Sequence, residues 1–261
     1  MNEKYELTEE FKEIETLREG WLQKIKVYRI RALRAFADVK IGDLGGFVET
    51  KQNLSNMGNA WVYGNAEVRD NAWVCGDAWV CGDAKVCNNA RVRDNAKVYG
   101  NAEVCSNAEV CSNAEVYGDA RVYGDAKVCD NAWVCGDAWV CGDAKVCNNA
   151  RVYGNARVCD NAKVYGNAEV CGDAKVCDNA NIFWCSSIGS RHATTTMFRN
   201  KDNGITVTCG CFMGTLEEFA ERVEKEHGEN IFGKEYKLLI ELAKIHFGLQ
   251  DETKGEEENG I

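Results

Sequence analysis

Alanine stands at every sixth position from Ala60 to Ala180, and a β-branched residue follows two positions after each, from Val62 through Val176 to Ile182. All twenty-one hexads are intact. A unit of six residues cannot bury its own apolar face, so a chain of such units gains a core only by stacking on itself. Read from Val, each unit continues with Tyr, Cys or Arg, then Gly, Asp, Asn or Ser, then Asp or Asn, then Ala, then Trp or a charged residue. Val is stiff and β-favouring and suits an inward position, while Ala is small enough for the chain to turn beside it. The Gly-Asp, Asp-Asn and Gly-Asn pairs between them tolerate left-handed backbone angles and bond their own backbone, which is turn chemistry. The chain has no proline, as expected where every strand donates N–H groups to its neighbours.

This hexad resembles that of the left-handed parallel β-helix family, which carries an aliphatic residue at its first position and a small one at its fifth. The resemblance implies a mainly β protein with three hexads per triangular coil and a trimeric assembly. Twenty-one hexads then make about seven coils, a rod on the order of 34 Å long at ~4.8 Å per strand. Residues 18 apart stack, so outward positions form ladders: Glu67, Lys85, Glu103 and Arg121 in one, Lys97 beside Glu115, Glu109 beside Lys127, Arg151 beside Glu169, Trp61 beside Trp79, and Trp73 beside Arg91. These faces read as solvated and mutually compensated. Residues Asp70 to Val92 recur unchanged as Asp130 to Val152, an offset of 60. Sixty is not a whole number of 18-residue coils, so the copy is rotated by one face, which a face-specific site would not survive. The repeat therefore reads as a spacer.

The same resemblance raises acyltransferase chemistry, which needs a histidine base; residues 60 to 185 contain no histidine and no insertion. A zinc-dependent anhydrase of this fold needs three histidines, and ice-binding prisms need threonine arrays; the repeat has neither. A non-enzymatic protein without cofactor is expected. The net charge of -10 is interspersed with Lys and Arg along the repeat, so neither DNA mimicry nor nucleic-acid binding is expected. Twelve of the fifteen cysteines occupy the position after Val. With an acidic start, MNEKYELTEEF, and no apolar run long enough for a membrane span, the expectation is a cytoplasmic protein with reduced thiols. Stacked pairs such as Cys129 with Cys147, or Cys141 with Cys159 and Cys177, lie where a metal or disulfide bridge is conceivable. Tyr and Arg interrupt every ladder, however, and the position is read as structural with no metal.

Four segments are expected: a β cap over 1–56, the β-helix over 57–182, a ββαα module over 183–249 and a disordered acidic tail over 250–261. Lys24 to Phe36 is basic and strand-forming, while Leu7 to Leu22 fits a helix or a hairpin equally. The wording YRIRALRAFADVKIGDLGGFVE running into GNAWVYGNAEV is similar to hexapeptide-repeat proteins of bacteriophages and prophages, which would place the chain in a host cytoplasm. In the C-terminal module, Thr194–Arg199 and Ile205–Cys211 are strand candidates joined through Asn203-Gly204. Thr215 and Glu218 form a capping box for a helix over Leu216 to His227, ended by Gly228, and a second helix is expected over Lys234 to Phe247. Cys209-Gly210-Cys211 reads as small residues packed between strand and helix.

Candidate ligand-binding residues are Ser190, Arg191, His192, Thr194 and Arg199, small donors around two guanidinium groups that suit a phosphate or other anion. The competing reading pairs Arg191 and His192 with glutamates of the first helix. The leading functional expectation is a trimeric phage-type scaffold whose module binds a small anion, a nucleotide signal among them, as a sponge against host defence. The alternatives are a module that docks on a virion or host protein, and an acyltransferase relative using His192, His227 or His246.

Overall fold

The computed structural model describes residues 3–18, 20–177, 181–200 and 202–249; the tail expected over 250–261 lies outside them. The chain divides into two units, Met1–Asp173 and Ala174–Ile261, a division that falls ahead of the boundary expected after 182. Among the described residues no helix is long and apolar enough to cross a membrane.

In the first unit the hexads are parallel two-residue strands, each an outward residue followed by Val, with Ala at the preceding corner. Partners are 18 residues apart: Lys97 pairs with Glu115, Glu103 with Arg121 and Glu109 with Lys127. The result is a parallel β-solenoid of about seven turns; the face that starts at Trp61–Val62 holds seven rungs. Val and Ala side chains are fully buried throughout, so the six-residue period is the period of the core. Two or three N–H groups per hexad bond the next coil, as Trp61 to the Ala78 carbonyl at 3.1 Å, Tyr63 to that of Val80 at 2.8 Å and Asn65 to that of Gly82 at 3.0 Å.

Corners take the left-handed conformation at Asn88, Asp94 and many glycines. Gly58 is there for space as well as for φ: a Cβ on it would lie 2.3 Å from the Gly76 carbonyl oxygen of the next coil. Corner amides also form ladders of their own. Asn71 donates to Asn89, Asn89 to Asn107 and Asn107 to Asp125, at 3.3, 3.1 and 2.8 Å. On the faces, Lys97 bonds Glu115 at 3.2 Å and Arg151 bonds Glu169 at 3.1 Å; such exposed pairs contribute about 0.2–1 kcal/mol each.

The cap is a hairpin. Strands β1 (Tyr5–Arg18) and β2 (Trp21–Ala32) pair antiparallel, and β2 pairs antiparallel with β3 (Leu44–Val48). β3 then runs parallel to Glu67–Val68, so it supplies a first rung and covers the edge that would template aggregation. One outward position therefore turns inward. Trp61, read as half of an exposed Trp61–Trp79 stack, is buried, with Tyr5 and Phe36 rings edge-on at 6.1 and 5.3 Å. The cause is the cap, which folds over the first coil.

Lys4 is also buried under the cap, its ammonium donating to the Ala60 carbonyl at 2.8 Å and lying 5.1 Å from the Phe36 ring centre. Desolvation, helped by Arg34 and opposed by Asp77, pushes its pKa down from 10.5 to about 8. Between these two values the folded protein holds fewer protons than the unfolded chain, so this group's contribution improves as pH rises through that window. Its full cost is present below about pH 8. Wild type should therefore gain on Lys4→Met by up to about 3 kcal/mol between pH 8 and 10.5, at ~1.4 kcal/mol per tenfold change in proton affinity. Urea unfolding of both proteins across that range measures it, and the thiol and tyrosine titrations common to both cancel.

Of the fifteen cysteines, Cys87 and Cys105 are joined across adjacent coils with Cα atoms 4.7 Å apart, where free thiols were expected. The other cysteines form no disulfide among the described residues.

In the second unit the two expected strands are the middle of a four-stranded antiparallel sheet in chain order, Ile182–Ile188, Ala193–Arg199, Ile205–Cys209 and Phe212–Thr215. Gly210 carries positive φ and Cys211 does not, the II′ hairpin pattern, so Cys209-Gly210-Cys211 is a turn between two strands. Helices α1 (Leu216–His227) and α2 (Ile231–Phe247) follow, α1 opened by the Thr215–Glu218 capping box. α2 starts earlier than expected because Asn230 caps it through the Gly233 N–H at 2.9 Å. Phe219 and Val223 of α1 and Tyr236, Leu239, Ile240 and Ala243 of α2 share one core with Met197 and Val207 of the sheet.

Candidate ligand-binding cleft

A cleft of about 320 Å³ opens in the C-terminal unit between the sheet's turns and α1. Its walls are Ser190 and Arg191 from the first turn, Cys209 to Phe212 from the last, Phe219, Arg222, Glu226 and His227 from α1, and Tyr236 from α2.

Of the five predicted ligand residues, two meet here. Ser190 and Arg191 line the cleft and are exposed. Arg191 forms no ion pair among the described residues, so the expected pairing with α1 glutamates is not seen there. His192 is exposed in the turn at φ 48°, its N–H donating to the Gly189 carbonyl at 3.1 Å. The Thr194 hydroxyl is 2.9 Å from that of Ser186 on the neighbouring strand. Arg199 is at the far end of strand Ala193–Arg199, about 20 Å away at ~3.3 Å per residue. Its guanidinium is occupied, donating to the Phe247 carbonyl at 2.7 Å and to the Asn203 carbonyl at 3.1 Å. The two arginines expected to clamp one anion are therefore apart, and Arg199 ties its turn to the end of α2.

The second guanidinium of the cleft is Arg222. It donates to Glu226 one helical turn on at 2.8 Å, both side chains half-exposed, and lies 5.7 Å from the Phe212 ring centre. No residue of α1 is among the ligand residues expected from the sequence. Phe219, Arg222, Val223 and Glu226 nevertheless share i, i+3, i+4, i+7 spacing, a periodic signal for the cleft wall that was available.

Tyr236 closes the inner end. Its ring meets Phe219 edge-on at 5.5 Å and lies 5.7 Å from the His227 ring, and its hydroxyl is 3.7 Å from the Cys209 sulfur. Burial, reinforced by Cys209, pushes the phenol well above its ordinary range, so at neutral pH it keeps its proton and is a donor. The Gly189 N–H donates to Glu235 at 3.0 Å, fixing the turn that carries Ser190 and Arg191 against α2. The cleft thus combines guanidinium, hydroxyl and phenol donors with aromatic rings.

The fold defines a β-solenoid repeat protein with an appended α+β unit. In agreement, residues 144–160 are similar to a family model described as YdcK Beta solenoid repeat, a match confined to one stretch of the repeat. No curated protein matches the chain.

Proposed function

We propose that the protein is a non-enzymatic scaffold whose solenoid spaces, and in a trimer multiplies, a C-terminal cleft that binds a small anionic ligand carrying a flat ring. The observation that carries this reading is Arg191, free of ion pairs among the described residues, at the mouth of a cleft lined by Phe212, Phe219 and Tyr236. A guanidinium provides bidentate recognition of phosphate or carboxylate, and aromatic walls favour a planar group. A nucleotide has both parts, and sequestration of a nucleotide signal is the role that fits the phage-like wording of the N-terminal segment. Isothermal titration of the full chain with a panel of linear and cyclic nucleotides tests it. Arg191→Ala and Arg222→Ala should each weaken the best ligand at least about tenfold, while Arg199→Ala should leave affinity unchanged because its guanidinium serves a turn. No detectable binding by any nucleotide overturns the reading.

A second reading, docking on a partner protein, is favoured by a different observation. Leu238, Leu242 and Ile245 of α2 are 72%, 51% and 77% exposed and follow a helical stripe. Unlike scattered surface leucines, a contiguous stripe marks interaction surface. Capture of a specific partner that is lost in Leu238→Glu/Ile245→Glu but kept in Arg191→Ala distinguishes it.

A further inference from the structure

One column of outward side chains on the solenoid reads Cys75, Arg93, Cys111, Cys129, Cys147, Tyr165. Its central three residues form an uninterrupted run of thiols, buried and packed together against Tyr165. The backbone holds them in register: the Cys111, Cys129 and Cys147 N–H groups each donate to the next coil at 3.0 Å. Such rungs bring sulfurs of adjacent coils together, since Cys87 and Cys105 are bonded at an equivalent pair of positions.

Cys129 and Cys147 have a carboxylate at the corner beside them, an arrangement that recurs at Cys159, Asp160 and Cys177, where the cysteines are half-buried rather than buried. Cys87 and Cys105 are followed by Asn88 and Ser106, whereas Cys129 is followed by Asp130; all three corner residues take positive φ, so the difference is the carboxylate. The Cys129 sulfur, the Cys147 sulfur and an Asp130 carboxylate oxygen lie within 4.8 Å of one another. Around a cation with metal–sulfur bonds of ~2.3 Å, tetrahedral sulfurs are about 3.8 Å apart, which small side-chain rotations reach. Two thiolates with one carboxylate select a borderline or soft cation over Mg²⁺ or Ca²⁺, which prefer all-oxygen shells. Lys127, on the rung of Cys129 and 3.5 Å from Glu109, offsets part of the negative charge.

We propose that Cys129, Cys147 and Asp130 form a binding site for a thiophilic divalent cation of the Zn²⁺ class, with water as fourth ligand. The repeat, read as a spacer, then carries a site created by an Asp at a corner beside two stacked, buried cysteines. Binding replaces two S–H bonds by two metal–sulfur bonds and releases two protons: M²⁺ + 2 RSH → M(SR)₂ + 2 H⁺.

Titration of the full chain with Co²⁺ as a spectroscopic stand-in, under a phosphine reductant that does not ligate as a thiol, tests the site. The expected result is a thiolate-to-cobalt charge-transfer band with tetrahedral d–d absorption, reversed by Zn²⁺ and accompanied by proton release. Cys129→Ser/Cys147→Ser should lose this equivalent, the exposed Asp130→Asn should weaken it at least about tenfold, and Cys75→Ser, whose column neighbour is Arg93, should retain it. Absence of the band in the wild-type protein, or a band of unchanged stoichiometry and affinity in both Cys129→Ser/Cys147→Ser and Asp130→Asn, overturns the proposal.

Discussion

Trp61→Ala should destabilise the first unit by about 3–5 kcal/mol, whereas Trp133→Ala, the same substitution at an equivalent position of the repeat, should cost no more than about 1 kcal/mol. The two indoles occupy the same face in the same phase of the hexad, but Trp61 is 1% exposed and Trp133 is 40% exposed. Removing the first leaves a void between the coil and the Tyr5 and Phe36 rings that pack on it. Removing the second forfeits little beyond its cation–π contact with Arg151 at 5.0 Å. A loosened cap also uncovers the terminal rung, so Trp61→Ala should associate on size-exclusion chromatography while Trp133→Ala elutes as wild type. Denaturation midpoints read the energies. Equal losses in the two variants would mean that the cap does not hold Trp61.

That contrast marks where the sequence stopped being legible. Inward Val and corner Ala were readable because the same local constraint recurs in every hexad, and the charge ladders followed once 18 residues per coil was adopted. Trp61 was misread because its burial comes from a hairpin more than a coil away in sequence, which no repeat period reports. The corner asparagines were readable as turn formers, but their amide ladders required the coils to be stacked first. In the second unit the capping box and the Asn203-Gly204 turn were legible for the same local reason. The anion clamp was not. Arg191 and Arg199 are close in sequence, yet an extended strand separates them, and Arg191 instead faces Arg222 and Tyr236, brought in by helix packing.

Gly189→Ala should unfold or remodel the C-terminal unit at a cost of about 2–4 kcal/mol, against about 1 kcal/mol for Gly210→Ala. Both glycines occupy hairpin turns beside the cleft with positive φ, at 70° and 59°, so both alanines bear the left-handed conformational cost. They differ in what the new methyl meets. At Gly210 there is nothing within 4 Å; at Gly189 the Cβ would lie 1.9 Å from the Tyr236 hydroxyl oxygen and 2.2 Å from its Cζ. Tyr236 has little room to retreat, because its ring is set edge-on against Phe219 and its neighbour Glu235 holds the Gly189 N–H. Tyr236→Phe should not rescue Gly189→Ala, since the ring carbon clashes as severely as the oxygen. Relief requires a smaller side chain, at the expense of the cleft's inner wall. Thermal unfolding separates the glycine variants, and ligand titration should find the cleft intact in Gly210→Ala and lost in Gly189→Ala. The turn that presents Ser190 and Arg191 is thus set by a glycine that lets the chain pass directly over a tyrosine, which makes Gly189 as necessary to the cleft as the side chains that line it.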